Sequence, residues 1–309
     1  MKIYNCIEDF KTTSKTAVTI GTFDGVHNGH KVIIEQLKNA AKTIDGESVI
    51  LTFFPHPRMV LYPDNNDLRL LNTINERILM LEKSGVDHLI IHPFSKEFSR
   101  LNSTEFVRDI LVNKLNVTTL VIGYDHHFGR NREGSFEHLQ ELAPLYGFKV
   151  EEIAAQEIQQ VNISSTKVRL SLLSGEINAA NQFLGYHYFI KGTVIDGNKI
   201  GKTINFPTAN IKVDEWYKLI PTKGVYAVKT IVNGNVFDGM LNIGNRPTIN
   251  ENNNETIEVN IFNFDEDIYT KEIQIEFYDR IRDEQKFENL ESLKKQLEID
   301  KKKAIQVLN

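Results

Sequence analysis

The periodicity of the chain changes at Tyr188. Before that point, short apolar runs alternate with helical patterns. After it, strand patterns follow one another with only turn signals between them. Alternating strands and helices form a parallel sheet covered on both faces, whereas consecutive strands form an antiparallel sheet that must pack or close on itself. The two halves therefore call for different folds. A length of 309 residues also exceeds the usual single domain. No Pro/Gly/Ser-rich linker separates the halves, so a tight junction is expected near Gly185, with domains at 1–184 and 185–309.

In the first half, strands are expected over 17–23, 48–54, 86–93, 118–123 and 148–153. Helices are expected over 31–44, from the capping box Thr73-Ile74-Asn75-Glu76 to Gly85, from Asn102 or Ser103 to Asn113, and over 135–146. On the first helix, Ile33, Leu37, Ala40, Ala41 and Ile44 share a face. Two short helical patterns end at Ser174-Gly175 and Leu184. The implied fold is a doubly wound, Rossmann-like parallel α/β domain, which binds ligands beyond the carboxyl ends of its strands. In the second half, strands are expected over 188–195, 224–232, 236–243, 256–264 and 272–278. Asn233-Gly234 makes a hairpin, and a terminal helix carries Leu290, Leu293, Leu297, Ala304 and Leu308 on one face. That half reads as a small antiparallel barrel or sandwich closed by a helix.

The chemistry-bearing stretch of the first half is Gly21-Thr22-Phe23-Asp24-Gly25-Val26-His27-Asn28-Gly29-His30, between a strand and a helix. A helix start presents unpaired N–H groups and the positive end of a dipole, a seat for phosphate. His27 and His30 can donate hydrogen bonds to charge developing on that phosphate. Two surface histidines beside a turn would look the same as a bare tetrapeptide. Further loops at strand ends hold Pro55-His56-Pro57, the run from Gly123 to Gly134 with Asp125, and Ile163-Ser164-Ser165-Thr166-Lys167-Val168-Arg169. The hydroxyls of the last loop cap a helix or join Lys167 and Arg169 on a triphosphate. A metal reading of His126-His127 is disfavoured, because the dyad lacks ligands at metal-binding spacing.

In the second half, the run from Gly197 to Thr203 falls one residue short of a P-loop and lies among strands. It reads either as a plain turn or as a flap touching phosphates through Lys202. Thr256 to Phe262 alternates, so Glu258 shares a face with Thr256 and Asn260; on physics alone it is a solvated strand glutamate. Thr208 and Asn210 after Pro207 would by themselves be an ordinary turn.

Taken whole, the block from Gly21 to His30 resembles the nucleotidylyltransferase signature in the form seen in bacterial FAD synthetases. Phe206-Pro207-Thr208-Ala209-Asn210 and Asn242-Ile243-Gly244-Asn245-Arg246-Pro247-Thr248 resemble the two flavokinase blocks. The resemblance covers nearly the whole chain and implies a two-step enzyme that phosphorylates riboflavin to FMN in its second half and adenylylates FMN to FAD in its first. It implies ATP as co-substrate and Mg²⁺ as cofactor. His27 and His30 would contact ATP phosphates, together with Gly21, Phe23, Asp24, Asp125, Ser164, Ser165, Thr166 and Arg169, and Pro55, His56 and Pro57 would meet FMN. In the second half, Gly197, Gly201, Lys202, Thr208 and Asn210 would hold ATP, with Thr208 and Asn210 also on the metal. Glu258 would be the general base, and Arg280, Arg282 and Phe287 would close on the flavin. Two positions depart from the pattern. His127 replaces a basic residue, which makes any phosphate contact there pH-dependent. Asn205 stands where Gly is usual, a turn position Asn tolerates. The alternatives are a nucleotidylyltransferase with another acceptor, and a flavin- or RNA-binding regulator with decayed sites.

A net charge of −5 and a pI near 6.0 argue against non-specific binding to nucleic acid or anionic membranes. The single cysteine, Cys6, allows no intrachain disulfide and suits a reducing cytoplasm. No apolar run is long enough to span a bilayer, so the Asn-x-Ser/Thr triplets at Asn116 and Asn162 read as accidental. A monomer or weak oligomer acting on small molecules is expected.

Overall fold

The computed structural model describes residues 1–65, 67–123, 127–153, 163–197, 201, 204–245 and 255–309. The chain forms two compact units, Met1–Ser165 and Thr166–Asn309.

The first unit is built on a six-stranded, all-parallel sheet: β1 (Lys2–Tyr4), β2 (Thr16–Ile20), β3 (Glu47–Phe53), β4 (His88–His92), β5 (Val117–Gly123) and β6 (Lys149–Ile153), in the order β1-β4-β3-β2-β5-β6. Successive residues face opposite sides, and both sides are covered. Val18, Val49, Leu51, Leu120 and Ile122 enter one core with Phe106, Leu111 and Leu139, whereas Ala17, Ile50, Leu89 and Val121 enter a second core with Ile34, Leu37, Ala40 and Ala41. The helices are α1 (Asn28–Thr43), α2 (Pro57–Leu61), α3 (Ile74–Glu82), α4 (Ser103–Glu105) and α5 (Phe136–Tyr146). The expected capping box is present at Thr73/Glu76, and Asn102, one of the two expected caps, forms a further box with Glu105.

Four details differ from the sequence reading. β1 is a sixth strand at the sheet edge, too short to show a period. Helix α1 starts at Asn28 rather than Lys31, and Ile34 takes the buried position while Ile33 is only partly buried. After α4 the chain continues as a π-helix over Phe106–Val112, which brings Phe106, Val107 and Leu111 into the core. The strand expected over 17–23 stops at Ile20, which frees Gly21, Thr22 and Phe23 for the loop.

The second unit opens with α6, whose first residue closes the preceding unit (Ser165–Ser174), and α7 (Ile177–Leu184). Six strands then form a closed barrel, β10-β11-β8-β7-β12-β9, antiparallel at every pair. They are β7 (Phe189–Ile195), β8 (Ala209–Lys212), β9 (Gly224–Val232), β10 (Asn235–Asn245), β11 (Glu255–Ile261) and β12 (Glu272–Arg282). Closure removes the exposed edges that a sandwich would leave. β8 was not anticipated. It follows directly on Phe206-Pro207-Thr208, where the proline masks the onset of a strand. The terminal helix α8 (Leu290–Leu308) packs Leu293, Leu297, Ala304 and Leu308 against Ile204, Phe206, Ala227, Met240 and Phe262.

Candidate active sites

Strand order reverses about β2 in the first unit, with β3 on one side and β5 on the other. A crevice opens at the carboxyl end of such a strand, and the Gly21–His30 block leaves from that point. The loop turns sharply: Phe23 (φ 48°), Gly25 (φ 88°) and Val26 (φ 36°) all have positive φ. Two non-glycine residues in that region are costly, which marks the loop as constrained by its surroundings.

His27 is the N-cap of α1, and its Nδ1 accepts the His30 backbone N–H at 3.3 Å. His30 is thereby placed in the first helical turn, and the two rings stack with centroids 3.7 Å apart and planes 13° apart. Phe23 borders the His30 ring at 5.1 Å. Nδ1 of His30 is buried without a hydrogen-bond partner among the described residues. Burial pushes this imidazole well below the ordinary histidine range, and the charges of His27 and Arg77 push it the same way. Arg77 itself is 1% exposed, on α3. Nothing in the periodicity pointed inward at Arg77. The Thr73/Glu76 box announces its helix but not its orientation.

Asp24 is fully buried. Its carboxylate accepts the Leu71 N–H at 2.9 and 3.1 Å and the Asn72 N–H at 3.2 Å. Ser165 Oγ donates to the Asp24 carbonyl at 2.8 Å, joining the 163–166 segment to the same loop. Ser164 and Thr166 are exposed beside it, and Arg169 lies one turn further along α6. Gly21 passes close to the Phe23 ring, where a Cβ would sit 3.0 Å away. After β3, Pro55 is exposed and half-buried His56 caps α2, its Nδ1 accepting the Arg58 N–H at 3.1 Å next to Pro57. Asp125 and His126 lie outside the described residues; His127 is exposed.

In the second unit, β11 pairs with β8 so that Glu258 stands opposite Asn210. Thr208 Oγ1 donates to Glu258 Oε2 at 3.2 Å. Asn210 is 8% exposed, and a Cβ on Gly197 would fall 2.0 Å from its Nδ2, so a larger residue there would have to displace the Asn210 amide. Gly201 is more strictly held, with the backbone carbonyl of Phe206 2.1 Å from its would-be Cβ. Asn205 takes φ 62°, the left-handed turn usually given to glycine. Lys202 lies outside the described residues, as does the part of the second flavokinase-like block from Arg246 to Thr248. A hydroxyl and a carboxylate thus meet, with an amide side chain at the register position opposite, and oxygen ligands of this kind are what a hard divalent cation prefers.

Thr208 and Glu258 line a cavity of about 290 Å³ whose apolar lining includes Ile204, Phe206, Met240, Phe287, Leu293 and Leu297, beside polar Asn242, Asn260 and Glu284. A ligand with both apolar and polar parts suits such a mixed lining. Arg282 also lines the cavity and is held by the buried Asp300: Nε lies 3.0 Å from both carboxylate oxygens, and the guanidinium reaches Oδ2 at 2.7 Å. Phe287 packs 5.7 Å from the Arg282 guanidinium. Arg280 is directed elsewhere, to the Lys223 carbonyl at 2.5 Å and to Asp283 at 2.7 Å.

Comparison with known proteins assigns the halves separately. The family model for FAD synthetase matches residues 9–167, and the model for riboflavin kinase matches residues 184–308. The bifunctional riboflavin kinase/FMN adenylyltransferase of Bacillus subtilis is 38% identical, covering 94% of this chain and 92% of the relative. The enzyme of the same description from Listeria monocytogenes is 40% identical, covering 94% and 91%. A solved structure described as a macrolide-efflux protein from Streptococcus pneumoniae superposes with a TM-score of 0.89 at 30% identity, covering 97% of both chains. Among the described residues no helix of the present chain is long and apolar enough to cross a membrane. With a family model on each half and relatives of this identity along nearly its whole length, the chain belongs to the bifunctional riboflavin kinase/FMN adenylyltransferase family.

Proposed function

We propose that the chain makes FMN and ADP from riboflavin and ATP in its barrel unit, and FAD and pyrophosphate from FMN and a second ATP in its α/β unit. The observation that carries this reading is the match of one family model to each half of the chain.

In the barrel, Glu258 takes the proton from the ribityl 5′-hydroxyl as that oxygen attacks the γ-phosphorus of ATP and the bond to ADP breaks. The Thr208 hydroxyl, 3.2 Å from the Glu258 carboxylate, orients it. Thr208 and Asn210 would hold Mg²⁺, which when bound offsets phosphate charge. Gly197 and Gly201 let backbone approach the phosphates. The apolar lining of the cavity, with Phe287 and Arg282, takes the flavin rings, and Arg280 braces the strand behind them.

In the α/β unit, an FMN phosphate oxygen attacks the α-phosphorus of ATP and pyrophosphate leaves. His27 and His30 sit at the N-terminus of α1, where backbone N–H groups and the helix dipole favour phosphate. A neutral His30 still donates one N–H to the charge that builds up in transfer. Gly21 and Phe23 shape the crevice, Asp24 fixes its loop, and Ser164, Ser165, Thr166 and Arg169 extend the phosphate-binding surface. Pro55, His56 and Pro57 meet FMN. Asp125 and Lys202 keep their assignments to ATP. The functional boundary lies at 184/185. The enzyme works in the cytoplasm on small molecules, as a monomer or weak oligomer, with neither nucleic acid nor membrane as a partner.

Chromatography of flavins after incubation with riboflavin, ATP and Mg²⁺ tests the reading. FMN should appear first and FAD follow. His30→Ala should form FMN and stall there, and Glu258→Ala should adenylylate supplied FMN but form none from riboflavin. Normal FAD output from the first variant would remove His30 from the mechanism. Vigorous phosphorylation by the second would remove Glu258.

A further inference from the structure

We infer that Asn260 is a positioning residue for riboflavin phosphorylation, holding the Phe206-Pro207-Thr208 turn against β11 so that Thr208 meets Glu258. The inference rests on the assignment of the barrel unit as the kinase.

The pairing of β8 with β11 ends at Ala209 opposite Val259. Residues 206 to 208 lie beyond the ladder, yet Thr208 must present its hydroxyl at a defined point. Pro207 has no N–H and cannot extend the ladder itself. Its carbonyl is instead taken by Asn260 Nδ2 at 2.6 Å. Asn260 is 6% exposed and two residues beyond Glu258 on the same face of β11. The contacts close a small ring: Asn260 to Pro207, Pro207 to Thr208, Thr208 Oγ1 to Glu258 Oε2 at 3.2 Å, and Glu258 back along the strand to Asn260. On the other side, the turn is tied by the Phe206 N–H to the Gly201 carbonyl at 2.8 Å. Asn260, Thr208 and Glu258 all line the same cavity. Removing the amide leaves the Pro207 carbonyl without its side-chain donor and lets the turn drift. Displacements of that size at a reacting centre lower turnover far more than binding.

The test compares Asn260→Ala and Asn260→Asp with the parent chain. Asp keeps the shape but replaces the donor with an acceptor facing the Pro207 carbonyl, so a folded, isosteric variant is available even if the alanine variant folds poorly. In both, kcat for riboflavin phosphorylation should fall about tenfold or more, and the Mg²⁺ concentration for half-maximal rate should rise. Riboflavin affinity, read separately from quenching of flavin fluorescence, should stay within about twofold, because the apolar lining of the cavity is untouched. Adenylylation of supplied FMN should be unchanged. If Asn260→Asp phosphorylates riboflavin at the parental kcat with the parental Mg²⁺ dependence, the inference is overturned, and so it is if flavin affinity falls in step with kcat. Absence of FMN from the parent chain itself would instead overturn the kinase assignment.

Discussion

Asp24 belongs to the block that resembles a nucleotide-binding signature, yet its carboxylate is fully buried and turned toward the backbone of Leu71 and Asn72. The chemical consequence can be worked out from the bonds. Oδ1 serves both amides, at 2.9 and 3.2 Å, and Oδ2 adds a second contact to Leu71 at 3.1 Å. In Asp24→Ala two buried N–H groups lose their acceptor, at about 1–3 kcal/mol each, so the first unit should lose roughly 2–6 kcal/mol. In Asp24→Asn the amide oxygen can replace Oδ1 for both donors, and toward these two amides the loss is the charge assistance, about 1–2 kcal/mol. The two variants should therefore separate clearly. Trp216 is the single tryptophan and lies in the second unit, so its fluorescence follows that unit while far-UV circular dichroism follows both. Urea unfolding should show the circular-dichroism transition of Asp24→Ala moving to lower denaturant with the tryptophan transition unmoved. Amide exchange at Leu71 and Asn72 should accelerate. Asp24→Asn should retain FAD formation within about an order of magnitude, since it keeps the loop in place. Loss of FAD formation in Asp24→Asn with unfolding unchanged would refute the reasoning and put the carboxylate on the substrate.

The lowered pKa of His30 gives the first unit a pH dependence of defined sign. Below the ordinary value of 6.5 the unfolded chain binds a proton that the folded chain refuses, so stability falls as pH drops from 6.5 toward the depressed folded value. His92, lowered by its own burial, acts in the same direction. Denaturation midpoints across pH 5 to 7 should show this slope, and His30→Asn should flatten it; an unchanged slope would mean that His30 binds protons alike in the folded and unfolded chain. In the second unit, Asp300 is fully buried and Arg282 is 13% exposed, so Asp300→Ala strands a nearly buried cation and should cost about 3–5 kcal/mol. The pair replaced by Arg282→Met with Asp300→Leu should recover most of that stability by calorimetry, yet bind riboflavin more weakly because Phe287 loses the guanidinium it packs on.

The fold was legible wherever side-chain period and burial agree. β3 and β5 are nearly continuous apolar runs because both faces of a parallel sheet are covered, and α5 announces itself by Ser135 at one end and Gly147 at the other. β1 has three residues and little buried surface, so no pattern distinguishes it. The early start of α1 was hidden by Asn28 and Gly29, both poor helix formers. The histidines, Thr208 and Glu258 could be singled out because they fall in short contiguous stretches that resemble family signatures; taken alone, Glu258 reads as a solvated strand residue and Thr208 as part of a turn. The two contacts that hold them could not: Asp24 reaches amides 47 and 48 residues away, and Asn260 reaches a carbonyl 53 residues away. In both units a polar side chain next to the reacting groups is bonded to the backbone of a distant loop. An acid or amide inside a recognised block therefore does not by its identity reveal whether it meets the substrate or holds a neighbour in place. Its hydrogen bonds bear on the answer, and those of the Asp24 carboxylate include the main-chain amides of Leu71 and Asn72.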